Sequence, residues 1–105
     1  LARVLPSQVA VDVDRSTWTP QPVFDVIRDL GRVDVADLER TFNMGIGMIA
    51  VVAADHADAA IALLTERGLR AWACGTVRER RDGEHGDAEA KGGAGGAVTL
   101  VGQHP

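Results

Sequence analysis

The stretch MIAVVAADHADAAIALLTERGLRAWACGTV (48–77) decides the fold, because its hydrophobic period changes twice along its length. Met48 to Ala53 runs without a polar residue, the pattern of a central strand covered on both faces. Asp55 then stands where a side-chain oxygen can cap a helix, and Ala57, Ala60, Ile61 and Leu64 make one apolar stripe. Arg67 sits at the negative end of that helix and Gly68 supplies the residue that closes it. Residues 71–77 return to a strand pattern, with Ala71, Ala73 and Gly75 small enough for a helix to pack closely on them. The stretch therefore predicts strand, helix, strand.

Working outward, Val9, Val11 and Val13 alternate with Ala10, Asp12 and Asp14, which predicts a strand over 8–13 with one face buried. Pro6 biases Leu5 towards extended geometry, so an irregular lead-in is expected from Arg3 to Leu5. Thr19 before Pro20 predicts a helix start, Val23, Phe24, Ile27 and Leu30 share its apolar face, and Gly31 ends it. Asp34 caps a second, shorter helix carrying Val35, Leu38 and Phe42 and ending near Asn43. Beyond Arg78 the composition turns to charge and glycine, which predicts a mobile loop at about 81–97. A last strand, 98–101, is expected to pair with the strand at 71–77 as a hairpin. The order β-α-α-β-α-β-β predicts an α+β class, a mixed sheet with helices packed on it, in one domain over residues 1–105.

Composition narrows the function. The chain has 105 residues, 46% hydrophobic and 25% charged, which suits one folded domain with a modest core. A net charge of −4 lacks the basic footprint of a nucleic-acid binder. The longest apolar run, Met48 to Ala54, is far short of the ~20 residues a spanning helix needs, so no membrane partner is expected. A single cysteine excludes an internal disulfide and a four-cysteine zinc site, which fits a reducing cytoplasm. The opening Leu1-Ala2-Arg3 has neither an initiator Met nor signal-peptide character, and the chain reads as cut from something longer.

The segment Arg40-Thr-Phe-Asn-Met-Gly-Ile-Gly-Met48 fits neither a simple helix nor a simple strand and is the candidate site. Gly45 and Gly47 permit positive φ or close approach to a ligand, while Arg40, Thr41 and Asn43 offer a charge and hydrogen-bonding groups. The plain alternative is that Gly45 ends a helix, Gly47 eases entry into the sheet and Asn43 is a turn residue. Arg3 could grip a phosphate bidentately or be an ordinary solvated arginine. Asp12 and Asp14 could orient a ligand or metal or merely face water. His56, His85 and His104 have no metal-ligand spacing, so no metal and no catalytic residue is assigned. Cys74 is expected to be a buried structural thiol, and Trp18 and Trp72 to be packing residues.

At this segment the sequence becomes recognisable. LERTFNMGIGM (38–48) resembles the E-M-x-R-T-F-N-x-G-V/I-G-M stretch of the phosphoribosylformylglycinamidine cyclo-ligase (aminoimidazole ribonucleotide synthetase) family. LARVLP (1–6) is similar to that family's N-[ILV]-P-R-[VIM]-L-P, WTPQPVFDVIRDLGRV (18–33) to its W-x-x-P-x-[VI]-F-x-x-[IL]-x-x-x-G-x-[VI], and GLRAWACGTV (68–77) to its G-x-x-A-W-x-[IL]-G-x-[VI]. The resemblance implies the second half of the family's C-terminal domain, partly ferredoxin-like. It also implies an ATP- and Mg2+-using enzyme of purine synthesis that closes the imidazole ring of formylglycinamidine ribonucleotide. ATP and Mg2+ would be bound mainly by an N-terminal part that this chain lacks, the whole working as a dimer. On this reading Arg40, Thr41, Asn43, Gly45, Gly47 and Arg3 would bind the phosphate of nucleotide or substrate, and the chain alone would be inactive.

The chain departs from the family pattern at Ala2, where proline is usual, and in the longer, glycine-rich loop at 82–97. Selenophosphate synthetase and thiamine monophosphate kinase are related possibilities that lack the agreement over 18–33. From another functional class, a small non-catalytic α+β ligand-binding or regulatory module is the alternative. If parts of the domain are missing, apolar helix or sheet surface should stand uncovered.

Overall fold

The computed structural model describes residues 1–86 and 95–105. Strand β1 (Val9–Asp14) is followed by helices α1 (Pro22–Gly31), α2 (Val35–Thr41) and α3 (Ala57–Glu66), then strands β2 (Gly75–Glu79) and β3 (Ala97–Val101). The described residues form one mixed sheet in the order β2-β1-β3, so the α+β class is as expected. β1 pairs antiparallel with β2, Val9 opposite Glu79 and Val13 opposite Gly75. It pairs parallel with β3, Ala10 opposite Ala97 and Asp14 opposite Val101.

The valine alternation holds at Val11 and Val13, while Val9 is half-buried and Ala10, read on the wet face, is fully buried. Val11 and Val13 enter a core with Leu5, Trp18, Leu38 and Met44, against which Phe24, Ile27, Val33 and Ile46 pack. Asp12 points to the other face, where Arg78 of β2 holds it through Nε at 2.8 Å and Nη2 at 3.1 Å. The lead-in is tighter than expected, a 3-10 turn over Ala2–Val4 before an extended Leu5.

Several boundaries differ for identifiable reasons. α1 starts at Pro22 because a residue before proline is held out of the helical region, and Gln21 accordingly has φ −61 and ψ 150. Thr19 and Pro20 therefore precede the helix. Its left-handed closing residue is Arg32 (φ 51), with Gly31 the last helical position. Asp34 caps α2 as expected, accepting from the Asp37 N–H at 2.9 Å. Asp55 lies inside a 3-10 turn, Ala54–His56, that leads into α3 without a side-chain cap. Gly68 does close α3, with Gly68 N–H bonded to the Thr65 carbonyl and Leu69 N–H to the Leu64 carbonyl.

Two strand expectations fail. Residues 48–53 form no strand, and Met48 is 90% exposed. An all-apolar strand needs a ladder partner and a layer on each face, yet both flanks of β1 are taken by β2 and β3. β1 is thus the central strand. β3 also does not form a hairpin with β2, because β1 lies between them. Gly96 N–H reaches the Ala2 and Leu5 carbonyls at 3.0 and 3.1 Å, which anchors the entry to β3 on the far flank of β1. Of the expected loop at about 81–97, residues 87–94 lie outside the described residues.

Candidate functional site

α2 ends at Thr41, where the Phe42 N–H still bonds the Leu38 carbonyl at 2.9 Å and the chain then turns sharply. Asn43 Oδ1 accepts from the Gly45 N–H at 2.9 Å, and Ile46 N–H donates to the Asn43 carbonyl at 3.1 Å. Met44 (φ 52) and Gly45 (φ 98) are both in the left-handed region. A side chain at Gly45 would run into the Gln21 amide, whereas one at Gly47 would meet no described atom within 4 Å. The turn is gripped from below by Trp18, whose buried indole N–H donates to the Met44 carbonyl at 3.0 Å.

This turn forms one wall of an open cleft of about 450 Å³. Val13, Val98 and Leu100 of the sheet and Phe42, Met44 and Ile46 of the turn supply apolar surface, with Asn43 and Gly47 at the lining. A polar cluster lies at the same cleft. Arg15 Nη1 donates to both carboxylate oxygens of Glu39 at 3.1 Å, and the Glu39 side chain is only 10% exposed. His104 packs edge-on against Trp18 at 4.7 Å, with Nδ1 3.2 Å from the Trp18 carbonyl and Nε2 3.8 Å from Glu39 Oε1. The carbonyl can only accept, so Nδ1 carries the proton in that contact.

The structure thus brings Asn43 and Gly47 to the cleft and places Gly45 in the turn behind them. Arg40 lies on the exposed side of α2, 3.5 Å from Asp37, and Thr41 is exposed beside it. Arg3 belongs to the N-terminal turn, whose Leu1 and Val4 reach the cleft while Arg3 does not line it. Sequence reading missed Arg15, Glu39 and His104 as cleft residues, and Trp18 as the anchor of the turn. Arg15 and Glu39 are 24 positions apart and Trp18 and His104 are 86 apart, so no local spacing signals either pair.

The acidic residues raised as ligand or metal candidates are engaged elsewhere. The Arg78 guanidinium holds the Asp12 carboxyl below its usual value, and Asp14 is lowered by hydrogen bonds from the Ser16 hydroxyl and N–H. Burial pushes the Cys74 thiol up, as suits a half-buried packing residue. Glu39, the one carboxylate that the described residues place at the cleft, is clamped by Arg15, and these residues contain no group of three His, Cys, Asp or Glu side chains placed to hold a metal. This donor set does not fit Mg2+. No helix of the described residues is long and apolar enough to cross a membrane.

Comparison with known proteins agrees with the motif. The family model described as AIR synthase related protein, C-terminal domain, matches residues 1–87, which include β1, all three helices, β2 and the turn but not β3 or His104. A Streptomyces fradiae protein provisionally named phosphoribosylformylglycinamidine cyclo-ligase is 53% identical over 91 residues, covering 86% of this chain and 50% of the relative. The phosphoribosylformylglycinamidine cyclo-ligase of Chromobacterium violaceum is 45% identical over 83 residues, 79% of this chain and 24% of the relative. That of Burkholderia vietnamiensis is 44% identical over 84 residues, 80% and 24% respectively. The chain therefore spans between a quarter and a half of the length of these relatives. With the match running through the turn and its flanking elements, the chain belongs to the C-terminal domain family of the AIR synthase related proteins.

Proposed function

We propose that this chain supplies the C-terminal part of an ATP-dependent cyclo-ligase that converts formylglycinamidine ribonucleotide to aminoimidazole ribonucleotide, releasing ADP and phosphate. The family match over residues 1–87 carries this reading. Residues 1–105 are then a single partial domain, the second half of the C-terminal domain, inactive until the N-terminal part joins it. The whole enzyme is a cytoplasmic homodimer, and its ATP and Mg2+ are bound mainly by that N-terminal part.

In such a reaction the terminal phosphoryl group of ATP goes to the formyl oxygen, and a nitrogen then closes the ring as phosphate leaves. The contribution of this chain is to bind and orient, since holding two reacting ends near attack distance supplies much of the barrier reduction. Asn43 and Gly47 meet the ligand along the cleft and Gly45 shapes the turn. Arg40, Thr41 and Arg3 stand outside the opening and reach a phosphate only once the rest of the enzyme covers it.

The test is ADP release dependent on formylglycinamidine ribonucleotide, for this chain alone and for this chain mixed with the N-terminal remainder of the Chromobacterium violaceum relative. Activity in the mixture alone is expected. A mixture that folds and associates but stays inactive would overturn the reading in favour of a non-catalytic binding module.

A further inference from the structure

Trp18 holds the turn at one peptide group. The Met44 carbonyl and the Gly45 N–H belong to the same peptide plane, and each is gripped from a different side. Trp18 Nε1–H binds the carbonyl at 3.0 Å, and Asn43 Oδ1 binds the N–H at 2.9 Å. The plane lies between Met44 at φ 52 and Gly45 at φ 98, where a side-chain-bearing residue such as Met44 is held against its preference. A flip of that peptide alone would leave Met44 at positive φ and carry its ψ out of the small left-handed well, so the turn loosens instead by moving as a whole off Trp18. Such a movement would take the carbonyl away from the indole and shift the chain entering Ile46 and Gly47.

We propose that Trp18 is a positioning residue for the ligand-binding turn, acting by locking the Met44–Gly45 peptide in place through its carbonyl. This rests on the cyclo-ligase reading above. The indole N–H is a donor that cannot accept, and the Met44 carbonyl that it meets can only accept. Trp18 is itself immobilised: it is 7% exposed, lies 6.4 Å from the Trp72 ring and carries the His104 ring on its edge at 4.7 Å. Asn43 and Gly47, the two members of the candidate set that line the cleft, flank the locked peptide on either side. The lock therefore sets the direction in which both meet a ligand.

The experiment uses the complete enzyme formed by joining this chain to the N-terminal remainder of the Chromobacterium violaceum relative. Trp18 is replaced by 3-benzothienylalanine, which keeps the ring outline and exchanges the N–H for sulfur, and in parallel by phenylalanine (Trp18→Phe). KM and kcat are measured with formylglycinamidine ribonucleotide and ATP, and Gly45 amide hydrogen exchange is followed in the same samples. Locking for binding predicts that the isostere raises KM for at least one substrate about tenfold with kcat within about twofold, and that Gly45 exchange accelerates. Trp18→Phe should do the same or more, and because the isostere preserves packing, loss of folding in the phenylalanine variant alone leaves the result intact. A folded isostere enzyme with unchanged KM overturns the positioning role. If the joined enzyme with Trp18 in place folds and does not turn over, the cyclo-ligase reading falls first and takes the positioning role with it, an outcome visible before any substitution is compared.

Discussion

Gly45 and Gly47 lie two residues apart, yet their backbones ask for different things. Gly45 has a φ of 98, which strains any other residue, while the Gln21 amide where a Cβ would stand is the movable end of a flexible side chain, so the backbone sets the cost. Gly45→Ala is expected to cost about 1–3 kcal/mol in unfolding free energy, read by urea denaturation. Gly47 has open space around the same position. Gly47→Ala should change stability by less than about 0.5 kcal/mol, and a similar loss at both sites would show that the turn is not built as described. The Asn43 side chain is likewise committed locally, since its Oδ1 closes the turn on the Gly45 N–H. Its amide nitrogen is the group with hydrogen-bonding capacity left for a ligand.

The sheet is tied on its polar side chiefly by Arg78. Arg78 of β2 forks onto Asp12 of β1 and also onto Glu84, at 2.7 and 3.2 Å, while Arg80 donates to the Ser7 carbonyl at 2.9 Å. The hydrogen bonds from Arg78 hold both Asp12 and Glu84 below their ordinary values and raise the guanidinium in turn. A carboxylate lowered in the folded state stabilises above its unfolded pKa, and that contribution is lost as pH falls through the folded value. The melting temperature should therefore be flat above about pH 5 and fall on acidification towards pH 3. Arg78→Ala should flatten much of that slope, leaving the smaller parts due to Arg81 near Asp12 and Glu84 and to Asp14, whose partner is Ser16. An unaltered slope in the variant would mean that the fork does not persist in solution. These pairs are partly exposed, so raising the salt concentration should weaken the effect.

Taken whole, the chain leaves much apolar surface in water. Val23, Val26 and Leu30 of α1, Met48 to Val52, and Leu63 and Leu64 of α3 include side chains exposed well beyond those of a finished core. None of the described residues of α3 is buried, although its stripe of Ala57, Ala60, Ile61 and Leu64 is amphipathic. A chain that covers between a quarter and a half of its relatives accounts for this without special pleading. This chain alone should bind a hydrophobic dye. Adding the N-terminal remainder of a cyclo-ligase should suppress the dye signal and raise the melting temperature, because a partner that binds only the folded form stabilises it. Equal dye binding with and without that remainder would mean the apolar surface is not where the partner docks.

Local information was enough for the elements whose signals lie within a few residues. The alternating valines of β1, the Asp34 cap of α2 and the Gly68 closure of α3 depend on near neighbours and were legible in the chain, as was the glycine turn with its family motif. The start of α1 was readable in principle, but the restriction that Pro22 places on Gln21 outweighs the capping signal of Thr19. The fate of 48–53 depended on which strands flank β1, and composition alone carries no ladder partner. The same holds for β3, for the Arg15–Glu39 pair and for His104 on Trp18, contacts that join residues 24 and 86 positions apart. Periodicity and capping are short-range and can be read along the chain, whereas pairing order and the convergence of charges on a cleft follow from how the whole chain packs.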